Sequence, residues 1–159
     1  RTQIEIGGKD KIQLAAELQA REIEFTPWWV KALMDNAEFT TTPDVQPITL
    51  VRFTIADLGF PNGCTTTQLF ARRKEMGLEF CPAATGPHYR LQYLDQPDGE
   101  YLSIGMKPIT GSDGNPLVFD LNRNGDQLKL HACRANPDDP WRPGNEIAFR
   151  LSKVETLAA

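Results

Sequence analysis

The chain has 159 residues, 40% of them hydrophobic and 24% charged, with a formal net charge of −4 and a pI near 5.2. That length suits one domain with a real core, and the composition is ordinary for a globular protein. The acidic balance argues against a general binder of nucleic acid or anionic membrane, and no apolar run approaches the roughly 20 residues of a membrane helix.

Ile4-Glu5-Ile6 reads as a short strand closed by Gly7-Gly8. Asp10 is placed to cap a helix over residues 11–22, with Ile12, Leu14, Ala15, Leu18 and Ile23 as its apolar stripe. Thr26-Pro27 has the form of an N-cap followed by Pro at the first helical position. A second helix is therefore expected over 27–36, burying Trp28 or Trp29, Ala32 and Leu33, and pairing with the first as a hairpin. Residues 39–47, rich in Thr and Pro, read as a connector.

Residues 48–55 carry strand propensity: Val51, Phe53 and Ile55 alternate with Arg52 and Thr54, with Leu50 out of phase. Residues 56–63 form a turn or short helical corner. Thr65 or Thr66 can cap a third helix bearing Leu69, Phe70, Arg72, Arg73 and Met76, which Gly77 ends in a left-handed conformation.

From Leu78 onward the pattern reads as β. His88-Tyr89-Arg90-Leu91-Gln92-Tyr93 alternates polar and apolar residues, and the turn Gln96-Pro97-Asp98-Gly99 leads to a strand over 100–106. Further strands are expected over 117–121, 128–133 and 147–151, separated by Gly-Ser-Asp-Gly-Asn, Asn-Arg-Asn-Gly-Asp and a stiff loop, 134–145, that holds Pro137, Pro140, Trp141 and Pro143. Sequential strands with short loops favour an antiparallel meander. The expected fold class is a single α+β domain spanning 1–159. Its helical part with connector is 1–47, a strand–helix unit is 48–77, and a C-terminal β-meander is 78–153. The N-terminal helices would pack on a mostly antiparallel sheet of five or six strands.

A strand over 88–93 would place His88, Arg90 and Gln92 on one face, with Glu100 on the neighbouring strand. Arg90 can bind a carboxylate or phosphate through two parallel hydrogen bonds, and Gln92 offers a donor and an acceptor. A concave face of this kind is a ligand cradle; a flat one is a polar sheet surface with a cross-strand ion pair. Trp141, between Pro140 and Arg142-Pro143, is expected to pack back on the domain and close one end of the sheet; an exposed indole would instead serve a partner or ligand.

Other chemistry is thin. Cys64, Cys81 and Cys133 are odd in number and match no zinc spacing, so reduced, buried thiols in a reducing, cytoplasmic setting are expected. Cys81 and His88 fit no cysteine-hydrolase signature. His131 and Cys133 share a strand face, but two histidines in the chain leave few metal ligands, and neither metal nor cofactor is expected. Gly7-Gly8 lacks a phosphate-loop context, and Asp138-Asp139 sits in a Pro-rich loop. Residues 54–74, with Arg72, Arg73 and Lys74, have a helix-turn-helix flavour, but residues 51–55 favour strand and the domain is acidic, so nucleic acid is an unfavoured partner. No signal peptide is legible, and the start at Arg1 leaves open whether a leader preceded it.

The stretches Gly77-Leu78-Glu79-Phe80-Cys81-Pro82, Gly86-Pro87-His88-Tyr89-Arg90-Leu91-Gln92-Tyr93 and Asp95-Gln96-Pro97 resemble a group of small uncharacterised bacterial proteins with a GLELCP…GP-L-RLQY-DQP block. The likeness extends from about Ile6 to Lys153, through Ile6-Gly7-Gly8-Lys9, Leu50-Val51-Arg52, Asp57-Leu58-Gly59-Phe60 and Trp141. It implies a bacterial, cytoplasmic, single-domain protein and carries no activity with it. The functional expectation is a non-enzymatic module binding a small molecule or a protein through His88, Arg90, Gln92, Glu100 or Trp141. The alternatives are a small enzyme acting on an anionic substrate through the His88/Arg90/Gln92/Glu100 face, and a winged-helix-like DNA-binding module. Oligomeric state is left open.

Overall fold

The elements follow from local signals at the N-terminal end and from long-range pairing further on. In a computed structural model, which describes residues 1–25 and 28–152 and all their side chains except those of Trp28 and Trp29, the chain opens with β1 (Thr2–Ile6) and α1 (Lys11–Ala20). A capping box starts α1: Asp10 accepts from the Gln13 amide while Gln13 reaches back to the Asp10 N–H. Leu14 and Leu18 are buried, whereas Ile12, expected in the same stripe, is 80% exposed. α2 covers Trp28–Asp35; the expected Thr26-Pro27 cap and the burial of Trp28 or Trp29 lie outside the described residues. α1 packs against a later helix, Thr85–Gln92, and α2 against a later strand, Gln127–Arg134, with Lys11 Nζ donating to the Asn36 carbonyl at 2.8 Å.

β2 (Gln46–Thr54) leads through a short 3-10 turn (Ala56–Leu58) to β3 (Cys64–Thr65) and α3 (Thr66–Glu75). A second capping box, Thr65 with Gln68, starts α3, and Gly77 follows it with φ +72°, as expected.

The next element departs from expectation. Residues 88–93 are not a strand: α4 spans Thr85–Gln92. Thr85 to Leu91 are all buried. A helix in which only the last residue, Gln92, is exposed has almost no solvent face, so its sequence need show no helical period, and here it happens to alternate. Gly86 lets α4 lie close on the sheet, since a Cβ there would sit 2.7 Å from Phe119 Cβ and Cγ.

β4 (Tyr101–Ile104), β5 (Ile109–Thr110), β6 (Pro116–Asn124), β7 (Gln127–Arg134), β8 (Pro140–Trp141) and β9 (Glu146–Arg150) complete the chain. The α+β class stands, with a mostly antiparallel sheet of seven strands rather than five or six. Nor is its C-terminal part a simple meander. The order is β1-β2-β9-β4-β6-β5, with β7 on the other edge of β6. β9 inserts between β2 and β4, antiparallel to the first and parallel to the second. β3 and β8 form a separate two-stranded ribbon, pairing Cys64 with Trp141.

Register decides what each face of the sheet carries, because paired residues share a face and neighbours along a strand alternate. Leu102 pairs with Leu121, and Leu121 with Leu130, giving an apolar row. With Phe119 this row lies on the side of α4. One residue along, Ser103 pairs with Asp120, and Asp120 with His131. That polar row faces away from α4.

Candidate functional site

The residues singled out in the sequence are dispersed by the helix. His88 and Gln92, four apart, turn toward β1. The buried His88 Nε2 accepts from the Gly7 N–H at 3.1 Å, and burial, with Lys9 nearby, holds the imidazole below its usual pKa. The Gln92 amide behaves as a strand partner for the edge of β1: its Oε1 accepts from the Glu5 N–H at 3.0 Å and its Nε2 donates to the Glu5 carbonyl at 2.7 Å.

Arg90 points elsewhere and is 0% exposed. It donates to Gln96 Oε1 at 2.6 Å, to the carbonyls of Asn122 and Lys129 at 3.2 Å each, and to the Tyr93 carbonyl. Among the described residues it forms no salt bridge, and desolvation pushes its pKa down to about 10. This guanidinium ties α4 to the ends of β6 and β7, and its buried Nε has no hydrogen-bond partner among the described residues. Glu100 joins a different group. Arg52, on β2, binds Glu100 at 2.8 Å and also Glu146, and the Tyr93 hydroxyl contacts both Glu100 oxygens, at 2.9 and 3.2 Å. The expected His88–Arg90–Gln92 face therefore does not exist as a face. Trp141 behaves as expected: it is buried in β8, and its Nε1–H donates to Thr66 Oγ1 at 2.9 Å.

The structure brings together a set that the sequence did not reveal. A cavity of about 240 Å³ lies over the polar side of the sheet, lined among others by Tyr101, Ser103, Asp120, Cys133, Trp141 and Glu146. Asp120, 9% exposed, accepts from Asn122 Nδ2 at 3.2 Å through Oδ1 and from Ser103 Oγ at 3.3 Å through Oδ2. Among the described residues it has no salt-bridge partner. Burial pushes its pKa up to about 6. Ser103 Oγ also lies 3.6 Å from Cys133 Sγ, a thiol that burial pushes up to about 12. His131, the cross-strand partner of Asp120 on β7, is bound by Glu24 Oε2 at 3.2 Å, and Lys129 reaches the same oxygen at 3.3 Å.

Buried polar side chains distinguish this cavity from the larger grooves. One of about 810 Å³ runs along α1 past Ile12, Ala15, Ala16 and Phe25, and another of about 560 Å³ lies by Phe80, Cys81 and Lys107. Neither is lined by a buried polar residue, among those described. No three His, Cys, Asp or Glu side chains converge as a metal site among the described residues, and no described helix is long and apolar enough to cross a membrane. No protein-family model matches the chain, and comparison with curated proteins and with solved structures yields no significant match.

Proposed function

We propose that the protein is a non-enzymatic module that binds a small molecule in the cavity above Ser103 and Asp120. One observation carries this: the Asp120 carboxyl is buried at a cavity wall with no salt-bridge partner among the described residues, Arg90 acting on its charge only through space. An uncompensated buried charge is destabilising. Such groups concentrate where a ligand or a reaction uses them. The cavity, about 240 Å³, falls below the roughly 300–1,000 Å³ of drug-sized sites, which favours a ligand the size of an amino acid over a nucleotide.

Binding is favoured over nucleophilic catalysis by the state of the candidate nucleophiles. The Cys133 thiol is held neutral by burial, and Ser103 Oγ has a carboxylate and a thiol as neighbours, with no imidazole in hydrogen-bond reach among the described residues. The DNA-binding alternative loses support at α3. Arg72 is engaged with the Leu58 carbonyl at 2.9 Å, while Arg73 donates to the Leu78 carbonyl at 2.7 Å and lies 3.9 Å over the Phe80 ring. Three free cysteines and the resemblance to small bacterial proteins support a bacterial, cytoplasmic setting.

A fragment library screened by NMR tests the proposal. Binders are expected to move the Ser103 and Cys133 amides and the Trp141 indole N–H. A library that moves none of these, or only residues along α1 and α2, refutes it.

A further inference from the structure

We infer that the ligand is a small organic cation, a primary ammonium that docks on Asp120 with its carbon chain along Trp141 and Tyr101. This rests on the cavity being the binding site and adds the ligand's charge.

The hydrogen-bond inventory points first. Each Asp120 oxygen accepts one bond, both from neutral donors and both longer than 3.1 Å. A carboxylate has about four acceptor positions, so roughly two remain open. An ammonium has three donors and no acceptor, which suits the open carboxylate positions, and a charge-assisted bond there replaces the lost hydration of the carboxylate.

The charges around the cavity point the same way. Glu146 is already bound by Arg52. Arg134, which also lines the cavity, is exposed and makes no salt bridge to Asp120 among the described residues. Lys129 and His131 are occupied by Glu24, and Arg90, which acts on Asp120 only through space, gives its hydrogen bonds to Gln96 and backbone carbonyls. An anionic ligand would therefore meet the desolvated Asp120 carboxylate, a repulsion that low dielectric strengthens, while its attraction to the exposed Arg134 would be screened by solvent. A neutral ligand would leave Asp120 uncompensated.

The walls complete the fit. The one donor of the Trp141 indole is committed to Thr66. What remains for the cavity is aromatic surface, which packs alkyl chains and attracts cations. Tyr101 is 60% exposed, so its ring is open to an incoming ligand at the mouth.

Three probes of matched size separate the charge classes: n-butylammonium, n-butanol and butyrate, each titrated near neutral pH and followed at the Trp141 indole N–H and the Ser103 amide. The expected result is saturable binding of butylammonium, with butyrate inert. Asp120→Asn should weaken butylammonium by roughly tenfold or more, as the loss of a charge-assisted contact requires. Glu75→Gln, which removes an exposed carboxylate on α3 outside the cavity, should leave it nearly unchanged. Butanol or butyrate binding as tightly as butylammonium overturns the charge assignment while leaving the cavity as a ligand site. Failure of butylammonium to move either resonance also overturns it, and the fragment screen then decides separately whether the cavity binds anything. Equal butylammonium affinity in wild type and Asp120→Asn, with both folded by their amide spectra, removes Asp120 from the site.

Discussion

Replacing Asp120 by Asn should make the protein more stable above neutral pH, and the gain should vanish in acid. The carboxyl has a folded-state pKa of about 6 against an ordinary 3.8. In the unfolded chain it ionises near the lower value; in the fold it keeps its proton until the higher one. Between the two the folded state binds more protons, so its stability with respect to this group is greatest below about 3.8 and falls as pH rises through about 6. Above that range the buried charge costs about 2–3 kcal/mol. Asn has nearly the same shape, keeps an acceptor for the Asn122 amide and can bond Ser103 with no charge to desolvate. The variant should therefore exceed wild type by about 2–3 kcal/mol near pH 8, a rise in Tm of roughly 5–10 °C for a chain of this size, and match it below about pH 4. His88 slopes the other way. Its depressed pKa gives stability that is present above its ordinary 6.5 and lost as pH falls through the folded value. Because His88 is common to both proteins, it cancels in the difference. Urea unfolding of the two proteins, followed by circular dichroism across this pH range, gives that difference directly. A gain that is flat with pH, or a loss near pH 8, refutes the view of Asp120 as an uncompensated buried carboxylate.

Three other substitutions probe the frame around the site. Arg90→Leu should destabilise by about 3–5 kcal/mol in urea, because Gln96 Oε1 and the carbonyls of Tyr93, Asn122 and Lys129 lose a common donor; Arg90→Lys should recover only part, since one ammonium cannot span the same acceptors. Trp141→Phe should cost about 1–2 kcal/mol for the lost bond to Thr66, and Trp141→Ala about 3–5 kcal/mol for the lost packing, both read from chemical denaturation; an unchanged midpoint in the alanine variant would mean that the indole does not close this end of the sheet. Gly86→Ala should lower stability by about 1–3 kcal/mol in thermal melts by forcing α4 away from Phe119, despite the better helix propensity of alanine.

What could be read in the sequence was local. Asp10 announced α1, and Thr65 or Thr66 announced α3, because a cap is written beside the helix it starts; the structure adds Gln13 and Gln68 as the other halves of two capping boxes. The turn between β6 and β7 and the burial of Trp141 were legible for the same reason: an Asn-Gly turn, and an indole in a Pro-stiffened loop. α4 was misread because nearly all its side chains are buried and no solvent face marks its period. The polar set escaped notice because nothing local joins Ser103, Asp120 and Cys133. They meet through the pairing of β4 with β6 and of β6 with β7, and Glu146 joins them only because β9 inserts beside β4. Glu100 was expected to offer a cross-strand ion pair, and it has one, but with Arg52, 48 residues away in the chain. That partner follows from the sheet order, which short-range patterns do not encode.

Arg90 and Asp120 show how two buried charges in one small domain can be told apart. Both are desolvated, and both have pKa values moved toward the neutral form. Arg90 is met by four acceptors from four residues, three of them backbone carbonyls. A charge held by main chain, as the Arg90 terminal nitrogens are while its Nε stays unpartnered among the described residues, fixes the relative placement of the segments that supply it, and no cavity is needed beside it. Asp120 is met by two neutral side chains, keeps open acceptor positions and borders space. The first arrangement returns most of its desolvation cost within the folded chain. The second leaves a deficit that a cation from outside would remove, so the same group that weakens the empty protein strengthens the complex. Saturating butylammonium should accordingly raise the Tm of wild type near neutral pH and leave that of Asp120→Asn almost where it was. A comparable rise in both proteins would show that the ligand draws its affinity from the aromatic walls, and that the unpaired carboxylate has no part in it.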